Sequence, residues 1–365
     1  MATPAPISGA PAVSVIVPAR NEEDCIGACL QSLVSQTGVS FEILLVDDSS
    51  SDRTRAIAAS FPQVKIVDAG LPPAGWSGKN NAVTVGARAA YGEWFLFTDA
   101  DTVHLPGSLA RALTEARDRK AALLSYSPEQ DVRTLAEKAV MPVIFAELAT
   151  TFRPSEVSDP NSPVAAANGQ YFLVEREAYK AIGGHAAVAG CLLEDVALAR
   201  AVKQSGRHIF FRYGSDIVRT RMYRSFAQLR EGWTKNLALL FPNPTELALR
   251  RAAEFVLLAA SFFLMIASFA RTGASNNSII LLVATAALWL LFIRRIRLVH
   301  FSWNATLLAP VGLPLFAYLL LRSKMKHKNG QVAWKGRIYA AAAADTSSKD
   351  TSASAVVKQN LRPAP

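Results

Sequence analysis

The chain has 365 residues, 51% of them hydrophobic and only 19% charged, with a formal charge of +10. Soluble domains carry about 25% charged residues, and this composition excludes a disordered chain, a collagen and a disulfide scaffold. Residues 1–240 hold 24 Lys and Arg against 25 acids, whereas residues 241–365 hold 15 against 4; the basic excess sits among apolar runs, which points to a membrane and to no nucleic acid.

Residues 1–12 lack a charged n-region and an apolar h-region, so they read as a flexible leader without a signal peptide. Val13–Val17 is an apolar, β-branched strand ended by Pro18, and Cys25, Ile26, Cys29, Leu30 and Leu33 then recur at helical spacing. Phe41–Val46 is a second buried strand, Val64–Val67 a short third, Asn80–Tyr91 a helix, and Trp94–Thr98 a fourth strand ending in Asp99. Strands alternating with helices define an α/β domain over residues 13–243, with a mostly parallel sheet covered on both faces. Ala139–Thr151 is apolar with Pro142 inside, and is either a helix on a membrane surface or a helix of the domain core. Cys25, Cys29 and Cys191 have neither disulfide-framework nor zinc spacing and read as small buried residues in a reducing compartment.

Residues 244–322 read as a membrane region. Ala252–Ala270 is long enough to span, with one acid, Glu254, near its start; Ser278–Ile293 is shorter, and Ala305–Leu321 is broken by Pro310, Gly312 and Pro314. Arg271 alone separates the first two runs, Arg294, Arg295 and Arg297 separate the second from the third, and Arg322, Lys324, Lys326 and Lys328 follow. The positive-inside tendency sets both basic segments on the cytoplasmic side of the cell (inner) membrane with the α/β domain. Three full spans would carry the last cluster outside. The expectation is therefore two spans, about 252–270 and 278–293, with the third run re-entrant or lying in the interface. Residues 323–365 are a basic segment and a low-complexity tail, expected to be disordered from about residue 340.

Ligands of parallel sheets bind at the carboxyl ends of the strands, and polar clusters stand there in this chain. Pro18-Ala19-Arg20-Asn21-Glu22 offers backbone amides and a carboxylate, or a polar turn with Asn21 as a helix N-cap. In Asp47-Asp48-Ser49-Ser50-Ser51-Asp52 an aspartate suits a nucleobase N–H or a ribose hydroxyl, while the serines and Asp52 suit a helix cap. Asp99-Ala100-Asp101 sets two carboxylates side by side; they repel, so a hard divalent cation, Mg2+ or Mn2+, shared with substrate phosphates is expected between them. Glu194-Asp195 opens a helical pattern, either as acids favouring the helix dipole or as a general base. Asn168-Gly169-Gln170 and Gly183-Gly184-His185 are small and polar, suited to lining a pocket.

In order, VSVIVPARNE, VDDSSSDRT, GWSGKNNA, FTDAD, ANGQYFL, GGH and LLEDVALA resemble the inverting family 2 glycosyltransferases of the GT-A fold, over about residues 13–240. Gly75–Lys79, the GGH and the apolar C-terminal region look most like the branch associated with hopanoid and carotenoid lipid glycosylation. The resemblance implies a Rossmann-like nucleotide-diphospho-sugar transferase domain followed by membrane helices. Pro18, Ala19, Glu22, Asp47 and Asp48 (of the two aspartates chiefly Asp48) would then bind the nucleoside, with Lys79 near the nucleotide. Asp99 and Asp101 would be the DxD pair for donor and metal, Asp101 the more direct ligand, and Asp195 the catalytic base with Glu194 beside it. Asn168, Gly169, Gln170 and His185 would serve the acceptor or the diphosphate. Where many processive and ceramide-glycosylating relatives carry Q-x-x-R-W, this chain has Gln228-Leu-Arg-Glu-Gly-Trp233 with different spacing. That leaves Arg230 and Trp233 as candidates for diphosphate or acceptor and argues against processive synthesis. The implied reaction moves a sugar from a nucleotide-sugar donor to a hydroxyl or carboxyl of a terpenoid lipid acceptor. Two rivals are a nucleotidylyltransferase, whose G-x-G-T-R loop is missing here, and a membrane-tethered nucleotide-sugar-binding protein, which would need no base.

Overall fold

The computed structural model describes residues 10–334 and 337–339; most of the expected leader and all of the low-complexity tail beyond residue 339 lie outside the described residues. The first half alternates as β1 (Val13–Ala19), α1 (Ile26–Val34), β2 (Phe41–Asp47), α2 (Thr54–Ala59), β3 (Val64–Asp68), α3 (Gly78–Ala89) and β4 (Trp94–Phe97). There follow β5 (Thr102–His104), α4 (Ser108–Asp118), β6 (Leu123–Ser127), β7 (Glu129–Gln130), α5 (Leu135–Thr151) and α6 (Pro154–Ser158). Then come β8 (Phe172–Glu175), α7 (Arg176–Ala181), a 3-10 turn at Gly184–Val188, α8 (Glu194–Gln204), β9 (Ile209–Tyr213), β10 (Val218–Thr220) and α9 (Phe226–Leu240). Three long helices, α10 (Pro244–Thr272), α11 (Asn276–Arg297) and α12 (Trp303–Lys328), precede a hairpin of β11 (Val332–Trp334) and β12 (Arg337–Tyr339).

The main sheet runs β3-β2-β1-β4-β8-β6-β9. All pairings are parallel except those of β8, which is antiparallel to β4 and β6. Side chains alternate across the strands: Val13, Val15 and Val17 pack towards α1 and α4, whereas Ile16 packs with residues of α3, α7 and α8. Strand order reverses between β1 and β4, which opens a crevice at their carboxyl ends. The reversed β8 serves that crevice. Its first residue, Phe172, pairs with Phe97 at the end of β4, so Asn168-Gly169-Gln170 arrives at the same edge as Asp99.

A third apolar cluster joins α5 and α9 to the C-terminal helices. α5 is buried along Ala139–Ala146, so of its two sequence readings the structure realises the core helix, sandwiched against α12. α10 and α11 form an antiparallel hairpin, held by Thr285 Oγ1 to Ser261 O (3.2 Å), Trp289 Nε1 to Leu258 O (3.3 Å) and Arg295 to Glu254 (2.9 Å). All three helices are apolar and long enough to cross a membrane, but in their most apolar stretches α10 and α11 are 6% and 17% buried against 56% for α12. α12 corrects the expected break: it runs unbroken through Pro310 and Pro314. Proline removes a helical hydrogen bond, and here the packing of α5, α9 and α10 around the helix maintains its course.

Gly312 is where α12 meets α5 most closely. A Cβ there would stand 1.9 Å from the carbonyl oxygen of Ala139, and backbone cannot move aside as a side-chain tip can. Gly312→Val should therefore lower stability by at least about 1–3 kcal/mol, the usual cost of overpacking. The exposed neighbour exchange Val311→Ala should leave the melting temperature of the detergent-solubilised protein nearly unchanged. Equal melting curves for the two variants would contradict this packing.

Candidate active site

The loops after β1 and β2 are laced together by their own polar residues. Asn21 and Ser49 adopt left-handed backbone (φ 52° and 57°), a conformation that costs energy outside glycine and turns the chain sharply. Asn21 N–H donates to Ser50 Oγ (3.1 Å), Ser51 N–H to Asn21 Oδ1 (2.9 Å), Glu22 N–H to Thr54 Oγ1 (2.7 Å) and Glu23 N–H to Asp52 Oδ2 (3.0 Å). Asn21 is thus a cross-loop tie and not a helix cap; α1 begins at Ile26 with no side-chain cap. The serine run serves the same tie; α2 has no side-chain cap at Arg53, but Asp52 Oδ1 accepts from the Thr54 N–H that opens the helix (2.9 Å), as its helix-start reading expected. The two aspartates part company here. Asp48 lines the crevice, while Asp47 turns to Arg55 (3.4 Å) and the Ser50 N–H (3.1 Å) outside it.

Threonines fix the Asp99-Ala100-Asp101 loop by its carbonyls. Thr102 Oγ1 donates to Asp99 O (2.7 Å) and Thr220 Oγ1 to Asp101 O (3.2 Å). Thr98 Oγ1 donates to Gln170 O (2.8 Å), and the Gln170 amide reaches Thr220 Oγ1 (3.1 Å). Gln170 is therefore a brace between strands. Buried His104 completes the set against Thr98 (3.1 Å), and burial pushes its pKa down to about 3, so it is neutral.

The segment Gly75–Ala82 has a legible job in the fold. Ser77 caps α3 by accepting from Asn80 N–H (3.1 Å), and the Asn80 amide clamps the carbonyls of Val188, Ala189 (both 2.9 Å) and Cys191 (3.1 Å). That clamp holds the loop leading into α8. Between Ser77 and Asn80, Lys79 projects its ammonium to Asp99 Oδ1 and Glu194 Oε1, both at 2.8 Å. Gly169 N–H donates to Asp195 Oδ2 (2.8 Å). A Cβ on Gly169 would lie 3.2 Å from Lys79 Nζ and 3.5 Å from Asp195 Oδ2, so glycine lets the backbone itself reach the acids.

The electrostatics follow from crowding. Burial alone would lower the Lys79 pKa, but Asp99 and Glu194 outweigh it and hold the ammonium charged. Burial would raise Glu194, yet Lys79 keeps it ionised below the ordinary range. For Asp195, burial and then the Glu194 charge push the carboxyl up to about 6. Lys235 on α9 is lowered by burial.

These groups share one cleft of about 600 Å³. Its polar lining includes Pro18, Ala19, Glu22, Asp48, Lys79, Asp99 and Asp101, together with Asn168, Gly169, Gln170, Glu194 and Asp195. Apolar and aromatic side chains line it too: Phe145, Leu148 and Phe152 from α5 and its end, Phe211 and Tyr213 from β9, and Tyr223 and Trp233. Trp233 is packed, its N–H directed to Met141 Sδ (3.3 Å). Arg230 does not line the cleft; His185 is not in its lining but lines a small pocket shared with Lys79, Asp99, Gly169, Glu194 and Asp195, where it is bonded to Tyr179 Oη (2.9 Å) and made neutral by burial, with a pKa near 3. Sequence reasoning missed Arg221, Arg224, Lys235 and the α5 face. No motif marks them: Arg221 and Arg224 come in on the loop between β10 and α9, and Lys235 and the α5 face through helix packing.

Asp99 and Asp101 suit a hard divalent cation by chemistry, being oxygen donors on one loop. Among the described residues no group of three or more His, Cys, Asp or Glu could hold a metal alone, so a cation here needs phosphate oxygens to complete its shell.

A mostly parallel sheet with acids at successive strand ends and a nucleotide-sized cleft is the outline of a GT-A glycosyltransferase domain. Residues 14–183 match the model of Glycosyl transferase family 2, and the chain carries a family 2 glycosyltransferase domain. It is 27% identical over 336 residues to 4,4'-diaponeurosporenoate glycosyltransferase of Staphylococcus aureus (strain MRSA252), covering 90% of this chain and 88% of that protein. The same enzyme of strain USA300 matches with equal identity and coverage. Among solved structures, a mannosyltransferase from Pyrobaculum calidifontis in complex with GDP-Man and Mn2+ superposes with a TM-score of 0.53 at 21% identity, over 88% of both chains, and shares the fold.

His185→Ala removes the partner of a buried hydroxyl, which should cost about 1–3 kcal/mol. Nucleotide affinity per folded molecule should stay within about twofold, since the ring is bonded to Tyr179 and is not in the lining of the main cleft. Calorimetry on one preparation gives both numbers, and a large loss of affinity without loss of stability would put His185 back in the site.

Proposed function

We propose that this chain moves a sugar from a nucleotide-sugar donor to a hydroxyl or carboxyl oxygen of a terpenoid-type membrane lipid, in one displacement that inverts the anomeric carbon. The observation that carries the reading is Asp195, held by the Gly169 N–H at 2.8 Å beside the Lys79–Asp99–Glu194 cluster, in a cleft lined by both strand-end acids and apolar side chains. Glu22, Asp48 and the Pro18-Ala19 backbone suit a nucleoside, and the apolar lining of Phe145, Leu148, Phe152 and Trp233 suits a lipid chain. The S. aureus relatives, named for a carotenoid acid, support an acceptor of that class.

A hydroxyl acceptor attacks the anomeric carbon opposite the diphosphate while Asp195 takes its proton; a carboxyl acceptor attacks as the carboxylate and gives up no proton. The old bond to the diphosphate breaks as the new one forms, and the nucleoside diphosphate leaves. A divalent cation held by Asp99 and Asp101 would neutralise the departing diphosphate as a Lewis acid. Lys79 holds Asp99 and Glu194 in register and keeps their charges compensated. The reading includes a cell-membrane location, with α10 and α11 crossing and the cleft cytoplasmic. Arg294, Arg295 and Arg297 end α11 on the side of the α/β domain, against Arg271 alone beside the far turn, which supports that orientation.

Asp195→Asn should lower transfer to a hydroxyl acceptor by about 10²–10⁴-fold, the scale for losing a positioned proton acceptor. Donor affinity and melting temperature should hold; the reverse pattern would reduce Asp195 to a helix-start acid. The same carboxyl sets a pH limb. With its pKa raised to about 6, the base is present above that value, so transfer should fall as pH drops through about 6 and that limb should vanish in Asp195→Asn. Asp101→Asn, like excess EDTA, should abolish donor turnover, and full activity in EDTA would dispose of the cation.

A further inference from the structure

α12 presents one row of apolar side chains that no other part of the described chain covers. Trp303, Leu307, Val311, Tyr318, Leu321 and Met325 are between 41% and 67% exposed and recur at helical spacing, with exposed Pro314 completing the row. The opposite faces are pinned to the catalytic domain. Gly312 rests on the Ala139 backbone of α5. On α9, Ser323 Oγ donates to Thr234 O (2.7 Å) and accepts from Ala238 N–H (2.9 Å), and the His327 ring meets Lys235 O (2.8 Å).

The ends of the helix decide how it can lie. α10 and α11 turn at Gly273, so the start of α10 and the end of α11 form the same end of the hairpin, tied by Arg295 to Glu254 (2.9 Å). α12 leaves that end directly after α11, where Phe301 packs on Phe145 (5.8 Å). Its last turn returns to that same end: Lys324 Nζ donates to Thr245 Oγ1 in the first turn of α10 (2.7 Å). A helix of 26 residues is about 39 Å long, ample for the roughly 30 Å of hydrocarbon, yet neither of its ends lies by the far turn of the hairpin.

We propose that α12 is a membrane-surface helix that lies in the plane of the bilayer, its exposed row immersed at the headgroup–acyl boundary, and that it carries the floor of the catalytic cleft on its other faces. The occupant of the row is lipid. The row borders the lipid-facing surfaces of α10 and α11, where Val256, Leu257, Leu290 and Leu291 are exposed. Its chemistry is interfacial, with Trp303 under the Arg297 guanidinium (4.5 Å), Tyr318 in mid-row, and Lys324 and Lys328 exposed at the end to meet anionic headgroups. This rests on the membrane location in the proposed function but not on the transfer chemistry.

The test uses the full chain reconstituted in phosphatidylethanolamine–phosphatidylglycerol vesicles, carrying Val311→Cys or Leu321→Cys with an environment-sensitive fluorophore and corrected with the unsubstituted chain labelled alike. Nitroxide lipids labelled near the headgroup should quench both positions about twofold or more better than lipids labelled at the bilayer centre. A cysteine at Lys328 should react with impermeant maleimide only from the side of the catalytic domain. Stronger quenching from the centre at Val311, with Lys328→Cys labelled from the opposite side, would make α12 a third span and overturn the proposal. Absence of quenching from either depth would overturn it too, because the row would then face water or protein. Donor binding measured on the same vesicles reports separately on the transferase reading, and its loss would leave the quenching result intact.

Discussion

One ammonium makes the cleft possible. Asp99, Asp101, Glu194 and Asp195 arrive from two distant parts of the chain and converge on a site partly removed from water, where like charges repel strongly. Lys79 stands between two of them at 2.8 Å each and is presented rigidly, because Ser77 and Asn80 on either side of it fix the start of α3 and the loop before α8. With Asp99 and Glu194 compensated, Asp195 is left as the acid whose ionisation burial and its neighbour still oppose. That is the electrostatic condition for a carboxylate that takes protons near neutrality.

The strand–helix alternation of residues 13–98 was legible in the sequence because buried strands, short loops and strand-end acids repeat there with a plain period. The site was legible where acids sit at strand ends or open a helix: Asp48, Asp99 and Asp101 at the one, the Glu194-Asp195 pair at the other, all reach the cleft. Asp47 and Asp48 could not be told apart by spacing, since which neighbour faces the crevice depends on the left-handed turn at Ser49. Asn21 looked like a cap because its residue type suits one, and only the pairing of two loops gives it another partner. His185 follows a glycine pair that resembles a pocket motif, yet Tyr179 and Phe97 enclose it.

The C-terminal region was less legible for a different reason. Hydropathy counts apolar residues but not what they touch, so α12 scores as a span although over half of its most apolar stretch is packed inside the protein. Prolines that read as a break are carried within a continuous helix, because neighbouring helices supply the contacts that the lost hydrogen bonds would have given. The same packing brings α5 into the cleft wall and links the long C-terminal helices to the cleft through one apolar cluster that includes Phe145, Tyr223 and Trp233.

The pairing of α5 with α12 also has a consequence in time. Ala139 leaves the ribosome 173 residues before Gly312, the residue that seats α12 against it. The β1–β4 sheet can assemble early from neighbouring segments, but the apolar surface of α5 has no permanent cover until almost the whole chain has been made. Contacts so distant in sequence close late and leave sticky surface exposed meanwhile. A chain truncated before α12 is therefore expected to be an aggregating fragment and not a smaller soluble enzyme.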